Sequence, residues 1–205
     1  MIAIVRKVLP VYNGAKYHVT SRGIRRSSLF FDDDDFEKYL AILKETKERY
    51  PFNLHTYCLM TNHTHLQLGM LETPPSIIMK NLNTKFAKYI NKKYGFSGHV
   101  FEKRYGAEHL NSPEYEIDVS KYIHLNPSSA GMVAKPEDYP WSSCRAYIFG
   151  ESIPLIDPSP ILSYFPAPPL QHYESYLHAL PTDKFYWDDG KIHILDREEW
   201  SCGLR

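Results

Sequence analysis

Two histidines with one residue between them, in the stretch LHTYCLMTNHTHLQLGML, are the residues here best placed to do chemistry. On a strand, residues two apart share a face, so His63, His65 and Gln67 point one way and Thr64, Leu66 and Leu68 the other. Two neutral imidazoles that close suit a divalent cation. The same pattern also describes the polar face of a half-buried strand, and the pair alone does not choose. A second group lies in SKYIHLNP, where Tyr122 and Asn126 are four apart and share one face of a helix. An amide oxygen can complete the shell of a cation held by two histidines, and the cation polarises a phosphate that a tyrosine can attack. A phenol ionises near pH 10, so about one part in a thousand is phenolate at neutral pH. Drawing on that fraction costs about 4 kcal/mol, which a nearby cation can return through charge stabilisation.

Positioning such groups requires a sheet and a helix across it, and the chain reads that way. KYHVTSRG is a first strand, with Tyr17 and Val19 opposite His18 and Thr20, and Gly23 allows a turn after it. The acidic run Asp32–Asp35 favours a helix start ahead of FEKYLAILKETKERY, which carries Phe36, Tyr39, Leu40, Ile42 and Leu43 at helical spacing and stops at Pro51. FNLHTYCLM and HTHLQLGM are two strands joined at Thr61-Asn62, where Asn tolerates the positive φ of a tight hairpin. A second helix runs from about Ser76 to Tyr94, with Ile77, Ile78, Leu82, Phe86 and Ile90 as its apolar stripe. GHVFEKRYGAEHL reads as a further strand pair or ribbon. A third helix follows, capped by Asn111 or Ser112 with Pro113 in its first turn, and ends near Asn126 because of Pro127. Strand, helix, strand, strand, helix, strand is the split βαβ plan, so the expectation is α+β: a ferredoxin-like antiparallel sheet with helices packed on it. Residues 1–150 form this domain, and the Pro-rich, acidic residues 151–205 form a C-terminal extension in which only HYESYLHAL looks helical.

Of the 205 residues, 43% are hydrophobic, enough for one ordinary core plus an extension. The formal charge is zero overall, but residues 1–150 carry 20 Lys/Arg against 15 Asp/Glu, and residues 151–205 carry 4 against 9. A basic region of this kind suits phosphates or a solvated helix face. Three cysteines, Cys58, Cys144 and Cys202, without CxxC spacing, fit neither a disulfide framework nor a zinc knuckle. No apolar run spans a bilayer and the N-terminus lacks a signal-peptide layout, so the expectation is a soluble cytoplasmic protein with no membrane partner.

Four stretches in order, YHVTSRG, MTNHTHLQL, SKYIHLNPSSAGMV and EDYPWSSCRAYIFG, resemble the single-tyrosine transposases of the His-hydrophobic-His endonuclease superfamily, and within it the REP-associated branch. The resemblance covers about Tyr17 to Gly150. It implies a ferredoxin-like fold, a Mg²⁺ or Mn²⁺ cofactor, and single-stranded, hairpin-forming DNA as partner, with both monomers and homodimers known in the family. It makes Tyr122 the nucleophile, which would form a 5′-phosphotyrosine intermediate, and His63, His65 and Asn126 the metal ligands. The residue between the histidines is usually bulky and apolar there. Here it is Thr64, whose hydroxyl needs a partner on the core side.

The expected nucleic-acid contacts are Arg22, Arg25 and Arg26 in the loop after the first strand, Lys85, Lys88 and Lys92 on the second helix, and Lys103 and Arg104 beside Tyr105. Basic residues interleaved with aromatics suit a stacked single strand. His18 reads as a structural hydrogen-bonding residue, Gln67 as a surface polar group or spare ligand, and His124 as surface. Trp141 and Tyr147 read as packing residues. Two other functions fit parts of the chain. HTHLQ also matches the His-x-His-x-Gln pattern of histidine-triad nucleotidyltransferases, which leaves YIHLNP unexplained. A domesticated, non-catalytic nucleic-acid-binding protein on the same scaffold is the second.

Overall fold

Along β1 (Lys16–Arg22), Tyr17, Val19 and Ser21 are buried while His18, Thr20 and Arg22 face the other way. That alternation organises the whole fold. The computed structural model describes Pro10 and residues 12–179 and 185–194; Cys202 and the last part of the acidic extension lie outside the described residues. After β1 come α1 (Asp33–Arg49), β2 (Phe52–Met60), β3 (His63–Met70), α2 (Pro75–Tyr94), β4 (Gly106–Leu110) and α3 (Pro113–Ser129). The sheet order is β2-β3-β1-β4 with antiparallel pairing throughout, which is the expected ferredoxin-like arrangement.

Local chemistry sets the element ends. Asp32 caps α1, its side chain accepting from the Asp35 amide. Ser112, rather than Asn111, caps α3 by accepting from the Tyr115 amide. One face of the sheet meets α1 and α2 in a dry core: Val19, Leu66 and Leu68 pack with Tyr39, Leu43, Leu82, Phe86 and Ile90. On α2 the buried stripe includes Met79, and Ile77 is left exposed. The other face meets α3, where Val119 and Ile123 pack on Cys58, Met60 and Leu110.

Three expectations fail locally. The stretch from Gly98 to Leu110 forms one strand, β4, and a single bridge from Phe101 to Gly23, because β4 is consumed in pairing with β1. α3 continues through Pro127 to Ser129. Pro127 is buried, which offsets the lost hydrogen bond, and the Ala130 amide closes the end on the Asn126 carbonyl. At the β2–β3 turn neither Thr61 nor Asn62 has positive φ. Left-handed backbone occurs instead at Arg25 and Arg26 in the turn after β1, at φ 52° and 61°, while Gly23 itself is extended.

Beyond α3 come α4 (Cys144–Ile148), α5 (Ser159–Leu162), α6 (Pro169–His178) and a hairpin of β5 (Phe185–Asp188) and β6 (Lys191–Ile194). Tyr147, Ile161, Phe165, Tyr173 and Tyr176 pack together against Ile117 on the outer side of α3. Trp141 stacks on Phe36, so Trp141 and Tyr147 both pack as expected. Cys58 and Cys144 are buried free thiols, and no described helix is long and apolar enough to cross a membrane.

Candidate active site

β3 places His63, His65 and Gln67 on the α3 face of the sheet, between β2 and β1. His65 stands opposite Thr20 and Cys58, and His63 opposite Arg22 and Met60. The two rings lie 4.8 Å apart at 82°. Thr64 points to the dry side, where its hydroxyl finds a partner in the Tyr39 hydroxyl at 3.4 Å. This contact meets the need raised by a threonine at that position.

Both imidazoles are held neutral. Burial depresses His65 to about 2, helped by the charges of His18, His63 and Arg22. Burial and then Arg22 also lower His63, while the Asn126 side chain hydrogen-bonds it and works the other way. His63 Nδ1 lies 2.6 Å from Asn62 Oδ1, and His65 Nδ1 lies 2.8 Å from His18 Nε2. His65 Nε2 is buried with no hydrogen-bond partner.

α3 brings Tyr122 and Asn126 over this pair. Tyr122 is 53% exposed, with its ring 5.5 Å from that of His65 and 5.9 Å from that of His18. Asn126 donates from Nδ2 to the Tyr122 carbonyl at 3.0 Å, which leaves Oδ1 as the atom available on the His63 side. Beside Tyr122 is a cavity of about 350 Å³ lined by His18, Glu108, Tyr115, Asp118 and Val119. A larger one of about 540 Å³, between α1 and residues 153–155, is remote from these groups.

This donor set fits a divalent cation. Two neutral imidazoles, one with an orphaned buried nitrogen, stand beside an amide oxygen. Among the described residues no three His, Cys, Asp or Glu side chains form a ligand group by themselves, and the Asn126 amide is the further oxygen donor beside the pair.

The other expected residues divide. Arg22 ends β1 opposite His63; Arg25 and Arg26 are exposed on the following turn; the Glu102 amide is tied to the Arg22 carbonyl, so Lys103 and Arg104 share that rim. Lys85 does not join them, and Lys88 and Lys92 follow it on the same helix. α2 covers the dry face of the sheet, and Lys85 is paired with Glu45 of α1 at 3.0 Å. Gln67 is buried, donating to the Glu116 carbonyl, and so is not a surface group. His124 is fully buried between Tyr173 and Ser143, each 2.8 Å away, because α6 and the segment before α4 cover the outer side of α3. Glu108 and Asp118 carry no mark in the sequence, since the register of β4 with β1 has no sequence signal. Asn62 reads in the sequence only as a turn former.

The IS200-like transposase family model matches residues 11–126, more than half the chain, and spans the whole sheet, the histidine pair, Tyr122 and Asn126. A Haemophilus influenzae protein described as a candidate REP-associated tyrosine transposase is 27% identical over 134 residues, covering 59% of this chain and 75% of its own. Among solved structures, a REP-associated tyrosine transposase bound to a REP hairpin superposes with a TM-score of 0.60 at 16% identity, over 73% of this chain and 87% of that one. At that identity the likeness establishes the fold.

Proposed function

The chain belongs to the IS200-like transposase family, and on that premise we propose that it cuts and rejoins single-stranded DNA with Tyr122 as nucleophile. The observation that carries the reading is the juxtaposition on one sheet face: an exposed tyrosine hydroxyl on α3 beside a neutral histidine pair with a buried, unpartnered ring nitrogen. Family membership leaves the nucleotidyltransferase alternative without support.

His63, His65 and Asn126 would hold Mg²⁺ or Mn²⁺, which when bound polarises a scissile phosphate and offsets its developing charge. The protein's own groups do the rest. His65 stays neutral across the physiological range, so protons do not compete for its free nitrogen. Half-exposed on a helix anchored to the sheet, Tyr122 can reach a phosphate without unfolding anything. Attack of its oxygen on phosphorus breaks the bond to the 3′ oxygen, which takes up a proton and leaves as a 3′-hydroxyl. The 5′ side stays on Tyr122 as an aryl phosphodiester. Because one diester replaces another, a second strand's 3′-hydroxyl can reverse the step without ATP. Arg22, Arg25, Arg26, Lys103 and Arg104 lie along the rim next to His63 and would neutralise the incoming backbone. A hairpin-forming strand is the proposed substrate, in keeping with the hairpin bound by the structural relative.

The test is a panel of labelled hairpin oligonucleotides with Mn²⁺ or Mg²⁺, scored for a denaturation-resistant protein–DNA adduct. An adduct lost in Tyr122→Phe and with chelator supports both the nucleophile and the metal. Measurable binding with no adduct on any hairpin would move the assignment to a non-catalytic DNA-binding protein.

A further inference from the structure

Each histidine of the pair is gripped at Nδ1 by a different side chain, and the function proposed above assigns neither contact a role. Asn62 grips His63. Its Nδ2 donates to the Arg26 carbonyl at 3.1 Å, which fixes the amide orientation and turns Oδ1 toward His63 Nδ1 at 2.6 Å. An amide oxygen only accepts, and this 2.6 Å contact is closer than the approach of the Asn126 side chain to the same ring, so the proton of neutral His63 sits on Nδ1 and Nε2 is left to the Asn126 side. His18 grips His65, with its Nε2 2.8 Å from His65 Nδ1 and the two rings stacked 5.1 Å apart. A proton on His65 Nδ1 has this acceptor. A proton on Nε2 would be a buried donor without one, because Nε2 has no partner. Both rings therefore settle in the same tautomer, with the proton at the gripped nitrogen and the lone pair at Nε2.

We infer that Asn62 and His18 are positioning residues that lock His63 and His65 in the Nδ1–H tautomer and so present both Nε2 lone pairs to a divalent cation. The inference rests on the reading of the pair as cation ligands. Asn62 has a second task. The carbonyl it holds belongs to the left-handed Arg25-Arg26 turn, so one amide braces a ligand and the turn carrying two exposed arginines.

The experiment has two readouts on the full-length chain. Long-range ¹⁵N–¹H spectra of the metal-free protein report the tautomer of each imidazole directly. Loss of the free Mn²⁺ electron-spin-resonance signal on titration reports affinity for Mn²⁺ alone. The expected result is Nδ1–H for both histidines in wild type. Asn62→Leu and His18→Leu each weaken Mn²⁺ binding about 10- to 100-fold, the usual effect of removing a group that orients a metal-bound histidine. Asn62→Asp and His18→Gln keep an acceptor at each Nδ1, although the aspartate gives up the donor to the Arg26 carbonyl, and stay within a few-fold of wild type, which a merely space-filling role does not predict. An Nε2–H form of either ring in wild type overturns the inference. So does wild-type Mn²⁺ affinity in the leucine variants, or a tenfold loss in the two conservative ones. Should the leucine variants fail to fold, the wild-type tautomers and the conservative pair still decide. A wild-type protein that binds no Mn²⁺ would sink the cation-ligand reading itself, while the spectra would still test the tautomers.

Discussion

Lowering the pH from 7 to 5 should cost the wild-type protein about 2 kcal/mol of stability through His124 alone. His124 is enclosed by the Tyr147 and Tyr173 rings and hydrogen-bonded at both nitrogens by hydroxyls. Burial is the sole cause of its shift, which takes the ring from 6.5 down to about 3. A folded pKa below the unfolded one means the unfolded chain binds the extra proton. The stabilisation is therefore complete above 6.5 and is lost as pH falls from there toward 3. At pH 5 the unfolded ring is almost fully protonated and the folded ring almost fully neutral, which gives roughly RT ln 30, or about 2 kcal/mol. Urea unfolding at both pH values, on wild type and His124→Gln, isolates the share of this one residue from those of the other buried histidines. Glutamine can keep hydrogen bonds to Tyr173 and Ser143 but does not titrate. The variant should lose about 2 kcal/mol less than wild type between pH 7 and 5, seen equally as a thermal midpoint that falls about 4–8 °C less. Equal losses in the two proteins would refute the claim that the fold holds this ring neutral.

Two further substitutions probe the sheet around the histidine pair. Thr64→Val strips the buried Tyr39 hydroxyl of its partner and should cost about 1–3 kcal/mol, whereas Thr64→Val with Tyr39→Phe should recover most of it; additive effects in a denaturant cycle would count against the pair. Gly106→Ala puts a methyl 2.7 Å from Thr20 Oγ1, next to the strand position facing His65, and should cost about 1–3 kcal/mol, relieved by Thr20→Ala; unaltered stability in the single variant would show that Thr20 simply rotates away.

The strand alternation and the order of elements were legible because they depend on period and punctuation alone. His63, His65 and Gln67 do share a face, and α3 does carry Tyr122 and Asn126 together. What failed depended on contacts between distant segments. His124 reads as surface, yet its side of the helix is not solvent, since Tyr173 of α6 closes over it. Gln67 looked exposed for the same reason, its cover being the Glu116 carbonyl of α3. Lys85 reads as a nucleic-acid contact yet pairs with Glu45 of α1, because charge along the chain says nothing about which face of a sheet a helix will cover. Asn62 is the most instructive case. Its residue type suggested a left-handed turn, yet its backbone is ordinary and its side chain does the work, bridging His63 and the Arg26 carbonyl.

The two faces of the sheet divide stability from chemistry. On the α1–α2 side, long apolar side chains fill a core with few polar atoms, so the strands cannot slip register without exposing Leu66 and Leu68. That fixed register is what lets the α3 side afford a pair of buried imidazoles and a nitrogen without a partner. α3 is gripped on both flanks: Val119 and Ile123 face the sheet, while Ser120, Lys121 and His124 bond Tyr173 and the Tyr176 carbonyl on α6. Tyr122 emerges between these two rows. Its position therefore depends on residues after Gly150 as well as on the sheet, although neither Tyr173 nor Tyr176 lines the cavity beside it. Loosening α6 would let the helix shift by a fraction of a turn, and the nucleophile proposed at Tyr122, displaced by even an ångström, would lose most of its advantage in reach. The segment that reads in the sequence as an appendage is thus a structural brace for α3, and the placement of Tyr122 is shared between the face it occupies and a packing surface on the far side of the same helix.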